Sequence, residues 1–395
     1  MYRCASNHNE RKKNRGFQGK EDAKSRRRTL QEQQMKATQE LHNTGQSLWL
    51  DNITRALLKS GTLSKYIDEL AVTGLTSNPT IFDHAMSKSD DYNDGIIKYL
   101  QLGKSGEELF FELAIEDLQK AADLFKPTYD KTSGVDGWVS LEVSPLLAYD
   151  ADKTLAAAKS LHQKAARPNL FIKIPGTREG IDAIEEAIFA GVHVNVTLLF
   201  SATQYKAASD AYTRGLERRI DAGLKPDVSS VASIFISRWD VAVKHKVPAK
   251  LQNKLGIAVA GQTYQAYLDY LASPSCQKLE NMGARPQRLL WASTGTKDPD
   301  ASDVLYVQSL ASPLTVNTMP ENTLKAFADH GKLNEPATAA LKNWREQLDQ
   351  LEEAGIKVSD LGEQLQSEGA KSFDKSWKEL MNAIATKSST LKAAH

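Results

Sequence analysis

From residue 47 onward, short apolar runs alternate with stretches whose apolar residues recur at helical spacing. The runs read as strands: "SLWLD" (47–51), "GLTSNP" (74–79), "GWVSLEV" (137–143), "NLFIKIP" (169–175), "VHVNVTLLF" (192–200), "SSVASIF" (229–235), "RLLWAST" (288–294) and "LTVNTMP" (314–320). Most are followed by a helical pattern. After the fourth, Ile181, Ile184 and Ile188 fall at i, i+3 and i+7, on one helix face. Strand then helix, repeated, means a parallel sheet joined by crossover helices. Eight such units favour a closed (β/α)8 TIM barrel over an open doubly wound sheet. Two regions exceed a minimal barrel. Residues 83–126 form a long helical insertion after the second strand, and residues 321–395 read as helical throughout. In that tail Leu341, Trp344, Leu348 and Leu351 make one apolar stripe, and Phe373, Trp377, Leu380 and Ile384 another. Both read as faces packed on the barrel, with a partner-binding surface as the alternative.

Composition adds bounds. A chain of 395 residues with 41% apolar residues can bury a substantial core as a single large domain. Apolar runs reach only about eight residues, short of the roughly 20 that span a bilayer, so the chain reads as soluble, with no membrane partner. Cys4 and Cys276 form no CxxC pair, which argues against a disulfide framework and fits a reducing compartment. The net charge of +1 hides an asymmetry: residues 1–28 hold ten Lys/Arg against three Asp/Glu, +7, so the remainder carries −6. Residues 1–34 are therefore expected to be a disordered basic extension, and 35–395 a single barrel domain with a helical C-terminal region. The extension reads as sequence upstream of a start at Met35 rather than as a nucleic-acid arm or transit peptide. It has neither interleaved aromatics nor an acid-free, Ser-rich amphipathic pattern. Any nucleic-acid binding by it would be nonspecific.

Candidate chemistry sits late in the strands, where barrels build their active sites. The residues are Asp51, Asn78, Glu142, Lys173, Asn195 with Thr197, Ser233 and Ser293. Lys173 is the most informative. Burial in a barrel strand disfavours a charged amine, and a neutral amine attacks carbonyls to form a Schiff base. The alternative is a lysine snorkelling to solvent. Glu142 and Thr197 on the flanking strands could hold a water between them, and Asp51 supplies a second carboxylate. Paired carboxylates also suit glycoside hydrolysis, but that chemistry leaves the lysine without a role. The eight histidines show no HxH or HExxH spacing, so no metal is expected. His193 shares the phase of Asn195 and Thr197 and reads as a core histidine deeper in the barrel. "GKS" at 103–105 lacks the upstream Gly and strand of a phosphate-binding loop. Arg238, just past the sixth strand, and Ser293 with Lys297 in "STGTKD" are better phosphate ligands.

Together these segments closely resemble the transaldolase family. "LTSNPTIF", "SLEVSPLLAYD", "LFIKIPGTREGIDAIEEA", "VNVTLLFS" and "SIFISR" match its motifs in order and spacing, and the similarity covers roughly residues 40–395. "LWLDNITR" and "LWASTGTKD" resemble its longer bacterial-type subgroup. The resemblance implies a class I aldolase-like barrel that uses no metal or organic cofactor. It implies Lys173 as Schiff-base nucleophile, Asp51 as acid/base for C–C cleavage, and Glu142 with Thr197 positioning a proton-shuttling water. Asn78, Asn195 and Ser233 would bind the hydroxyls of a dihydroxyacetone unit, and Arg238 with Ser293 the sugar phosphate. The implied partners are phosphorylated sugars. The implied reaction is dihydroxyacetone transfer in the pentose phosphate pathway, in a cytoplasmic monomer or homodimer. One departure stands out: many members carry arginine where this chain has Gly295, and the nearest cation is Lys297. The related fructose-6-phosphate aldolases are shorter and tend to carry Tyr in place of Phe235 and Gln in place of Glu142. A non-catalytic barrel binding a partner through its tail is the reading from another class.

Overall fold

The computed structural model describes residues 35–394. Eight parallel strands close into one barrel in sequence order. They are β1 (Ser47–Asp51), β2 (Val72–Thr76), β3 (Val139–Glu142), β4 (Leu170–Pro175), β5 (Val194–Leu199), β6 (Ser230–Phe235), β7 (Arg288–Ala292) and β8 (Val316–Met319). Parallel neighbours force each connection over the outside of the barrel, and the helices there bury the outward-facing residues. The expected TIM barrel is therefore present, with its extra helices. The expectation for residues 1–34 lies outside the described residues.

Several boundaries differ from those read in the sequence. β2 begins at Val72 and ends at Thr76, so Asn78 does not end a strand. It caps the helix Pro79–Lys88 instead, its side-chain oxygen accepting from the Ile81 N–H (3.0 Å). Asn-Pro favours this outcome: proline keeps the preceding residue extended and itself suits the first helical position. The insertion is wider than 83–126. It comprises Pro79–Lys88, Asn93–Gln101 and Gly106–Lys131. The tail is not helical throughout, because residues 331–338, which include Gly331 and Pro336, interrupt it after Glu321–His330. Ser293 lies just past β7 with φ 56°.

Both tail stripes pack inward. Leu348 and Leu351 are buried, as are Phe373, Trp377, Leu380 and Ile384, while Trp344 is half-buried. The C-terminal helix Val358–Ala394 lies against the insertion, where Trp377 meets Phe110 edge-on with ring centroids 5.0 Å apart. At the N-terminal end of the barrel, Trp138 stacks on Phe171 (4.1 Å), and Trp49 lies 6.2 Å from Phe171. Gly74 makes room for this plug. A β-carbon there would meet the Trp138 carbonyl oxygen at 2.6 Å and Trp49 Nε1 at 2.7 Å. His193 joins the plug as expected, its ring 5.0 Å from Trp138 and its Nδ1 accepting from the Ser229 N–H (2.9 Å).

Candidate active site

Parallel register sets the site. Glu142 pairs with Lys173 across β3 and β4, and Lys173 with Asn195 across β4 and β5. Three polar side chains thus stand in one row inside the barrel. Lys173 is 5% exposed and does not snorkel. Its Nζ donates to the Ser77 carbonyl (2.9 Å) and to Glu142 Oε2 (3.2 Å). The other carboxylate oxygen, Glu142 Oε1, is buried and has no hydrogen-bond partner among the described residues, and the same holds for Thr197 Oγ1. Buried polar atoms are rarely left so, and each costs about 1–3 kcal/mol unless something satisfies it.

Asp51 ends β1 and accepts from Thr76 Oγ1 (2.8 Å), which also contacts Thr318 Oγ1 (2.7 Å). Burial pushes the Asp51 carboxyl above the usual range, while Lys173, the Thr76 hydroxyl and Lys297 pull it back. Burial raises Glu142 as well, opposed by Lys173 and reinforced by Asp51. Both acids face Lys173 in a poorly solvated space, an arrangement that strengthens a carboxylate's hold on a proton. Asn195 bridges the floor, donating to Ser140 Oγ (3.1 Å) and accepting from Ser233 Oγ (2.7 Å).

A cavity of about 310 Å³ opens over this row. Asp51, Lys173, Thr197 and Ser233 form its depth, and Asn78, Phe235, Arg238, Ser293 and Lys297 also line it. Glu142 and Asn195 do not reach its wall; they act on the residues that do. Arg238 follows β6, and its guanidinium carbon lies 5.2 Å from the Phe235 ring and 5.9 Å from the Phe373 ring. Aromatic faces hold the cation. Burial lowers its pKa, and no carboxylate offsets that effect. Ser293 Oγ lies 2.9 Å from Ser237 Oγ. Next to Lys297, Asp298 is held by Lys244 (3.0 Å) and by Asn253 (2.8 Å), which leaves Lys297 without its sequence neighbour as a counter-ion. Two cations that form no ion pair among the described residues, beside hydroxyl donors, suit a phosphate.

The sequence reading missed Thr76, Thr318, His84 and Phe373, which also line the cavity. Thr76 was hidden by the misplaced β2. Phe373 was assigned to packing alone, and helical spacing does not separate a residue that packs from one that packs and also faces a ligand. Nothing in the sequence marked His84. Among the described residues, no group of three or more His, Cys, Asp or Glu is placed to hold a metal ion, and no helix is long and apolar enough to cross a membrane.

The profile of the transaldolase/fructose-6-phosphate aldolase family matches residues 48–384, which takes in all eight strands apart from Ser47 at the start of β1, and most of the C-terminal helix. The chain belongs to this family. A transaldolase from Thermobifida fusca (strain YX) is 44% identical over 358 residues, covering 88% of this chain and 97% of the relative. One from Thiobacillus denitrificans is 41% identical over 358 residues, covering 89% and 100%. One from Mycobacterium ulcerans is 40% identical over 353 residues, covering 87% and 95%. The family assignment made from the motifs thus stands, and the correspondence runs almost end to end in each of these relatives.

Proposed function

We propose that this family member is a transaldolase, a cytoplasmic enzyme of the pentose phosphate pathway. It moves a dihydroxyacetone unit from sedoheptulose 7-phosphate or fructose 6-phosphate to glyceraldehyde 3-phosphate or erythrose 4-phosphate. The observation that carries the reading is the buried Lys173–Glu142 pair beneath a mouth lined by Arg238, where, among the described residues, Glu142 Oε1 and Thr197 Oγ1 have no partner and Arg238 no ion pair.

The chemistry follows from these contacts. Lys173 gives its proton toward Glu142 and attacks the ketose carbonyl. A water held between Glu142 Oε1 and Thr197 Oγ1 satisfies both atoms and carries the protons of carbinolamine dehydration. Asp51 then accepts the proton of the hydroxyl beyond the bond to be broken. That bond's electrons flow into the iminium, and the aldose phosphate leaves. The dihydroxyacetone enamine stays on Lys173 until an acceptor aldehyde reverses the sequence. Asn78 and Ser233 hold the hydroxyls of this unit, and Asn195 acts through Ser233, whose hydroxyl donates to it. Arg238 and Ser293 hold the phosphate, with Lys297 in place of the arginine that Gly295 displaces.

An aldolase would release the dihydroxyacetone unit to water instead. Phe235 argues against that, since its ring, 5.4 Å from Phe200, offers no hydroxyl to activate a water in the mouth. The names of the relatives argue the same way. The test is a coupled assay on fructose 6-phosphate with and without erythrose 4-phosphate. Turnover that depends strictly on the acceptor supports the transferase. Release of glyceraldehyde 3-phosphate without acceptor, at a comparable rate, replaces the proposal with the aldolase.

A further inference from the structure

Thr197 sits next to an irregularity in β5. The pairing with β6 shifts between Val196 and Leu199, and Leu198 has φ 59°. A left-handed leucine costs about 1–2 kcal/mol and persists only where neighbours enforce it. A bulge of this kind re-aims side chains and turns carbonyls out of the ladder. Here the two chain segments around the bulge are held from both sides. The Gly176 N–H donates to the Thr197 carbonyl (2.7 Å). From the C-terminal helix, Gln366 Nε2 donates to the Leu198 carbonyl (2.9 Å) and to the Gly176 carbonyl (2.9 Å). Both acceptors are carbonyl oxygens, so only the amide NH₂, with its two hydrogens, can face them.

The helix reaches this depth because of a gap in its side chains. Gly369 lies three residues past Gln366, and a β-carbon there would stand 3.0 Å from Leu198 Cδ2 and 3.3 Å from Arg238 Nη1. Phe373, one turn further, lines the cavity. One face of the helix thus clips the ends of the strands that carry Lys173 and Thr197.

We infer that Gln366 is a positioning residue. Its amide fixes the bulge that aims Thr197 and thereby sets the rate of proton transfer at Lys173, an inference that rests on the Schiff-base reading above. Gln366 touches neither the reacting lysine nor the carboxylates. It acts through the Leu198–Leu199 peptide, whose carbonyl it holds, and through Gly176, whose N–H holds the Thr197 carbonyl; together these fix the backbone from which the Thr197 hydroxyl, unpartnered among the described residues, projects.

The test is a double-mutant cycle on kcat with fructose 6-phosphate and erythrose 4-phosphate. Gln366→Leu keeps the volume and removes both donors. Thr197→Val keeps the shape and removes the hydroxyl. Each single change is expected to lower kcat by about tenfold or more, with the KM for fructose 6-phosphate within about twofold because Arg238 and Ser293 are untouched. In the Thr197→Val background, Gln366→Leu should then add less than about twofold, the coupling expected when one residue works through the other. Multiplicative effects, or a folded Gln366→Leu protein with wild-type kcat, overturn the inference. Should Gln366→Leu fail to fold, Gln366→Asn, an amide one methylene shorter, replaces it in the same cycle under the same criteria. Borohydride trapping of fructose 6-phosphate on wild-type Lys173 is run alongside. Its failure sinks the Schiff-base reading, whereas trapping with an additive cycle sinks only the role of Gln366.

Discussion

The two ends of this barrel are built from similar parts to opposite purposes. Each buries ionisable groups among aromatic rings. At the N-terminal end, Asp136 accepts from the Ser47 hydroxyl, from Trp49 Nε1 (2.8 Å) and from the Gly137 N–H (3.0 Å). Arg288 gives to the carbonyls of Val135 (3.0 Å) and Thr315 (3.0 Å) and to Ser47 Oγ (2.8 Å). Arg285 is paired with Asp227 (2.6 Å). At the C-terminal end, among the described residues, Arg238 lies over aromatic faces without an ion pair, Glu142 has an oxygen without a partner, and Thr197 a hydroxyl without one. Cavity size points the wrong way. The space at the N-terminal end is about 550 Å³ and largely apolar in lining, against about 310 Å³ at the reactive end. The N-terminal end also leaves the side-chain amide oxygens of Gln46, Asn169 and Gln287 without a partner among the described residues, so what sets the C-terminal end apart is that its idle atoms include a carboxylate oxygen beside a buried lysine.

Substitutions at the two ends should therefore fail in different ways. The largest effect is expected for Lys173→Met, with kcat down on the order of 10⁴-fold and borohydride labelling abolished, as for loss of any covalent nucleophile. Residual labelling on another lysine would move the chemistry elsewhere. At the opposite end, Asp136→Ala takes the acceptor from Trp49 Nε1 and the Ser47 hydroxyl, while the Gly137 N–H keeps the Thr73 carbonyl, and should cost roughly 3 kcal/mol of stability in urea unfolding. The kcat of the molecules that remain folded should not change. A drop in kcat without a drop in stability would erase the contrast between the ends.

Lys297→Ala should raise the KM for phosphorylated sugars about ten- to a hundredfold, the scale of one charge-assisted hydrogen bond, with kcat largely kept. Equal KM values for wild type and variant would make Lys297 a solvated loop residue. The smallest effect on catalysis, none at all, goes with a pH dependence of stability. Burial beside Trp138, with help from His162, pushes His193 down to about 3. Its folded pKa lies below the ordinary 6.5, so its contribution to stability is complete above about pH 6.5 and is lost as pH falls toward 3. Each pH unit below 6.5 should remove up to about 1.4 kcal/mol. His193→Gln, which keeps an acceptor for the Ser229 N–H, should flatten that slope while leaving the pH profile of kcat in place.

Periodicity exposed the barrel because eight strands bury both faces and their helices bury one. That alternation survives an error of two residues in β2. The row Glu142, Lys173, Asn195 was also legible, since each is a polar residue in a mostly apolar strand. The clip made by Gln366 was not. A glutamine on a half-exposed helix turn looks like ordinary surface until the strand ends it meets, at Gly176 and Leu198, are known. Nor did the sequence show that Phe373 would back Arg238. Contacts between residue 373 and residues 235 and 238 exist only once the last helix crosses the barrel's open end.

That crossing also bears on the order of events during synthesis. All eight strands are complete by Met319, but Gln366 and Phe373 emerge later, on the helix that ends at Ala394. A nascent chain can thus close its sheet while its catalytic end is still unfinished. Full reactivity arrives with the final stretch of polypeptide, so chains cut short after the barrel would carry Lys173, Glu142 and Asp51 but lack the clip and the aromatic backing of Arg238.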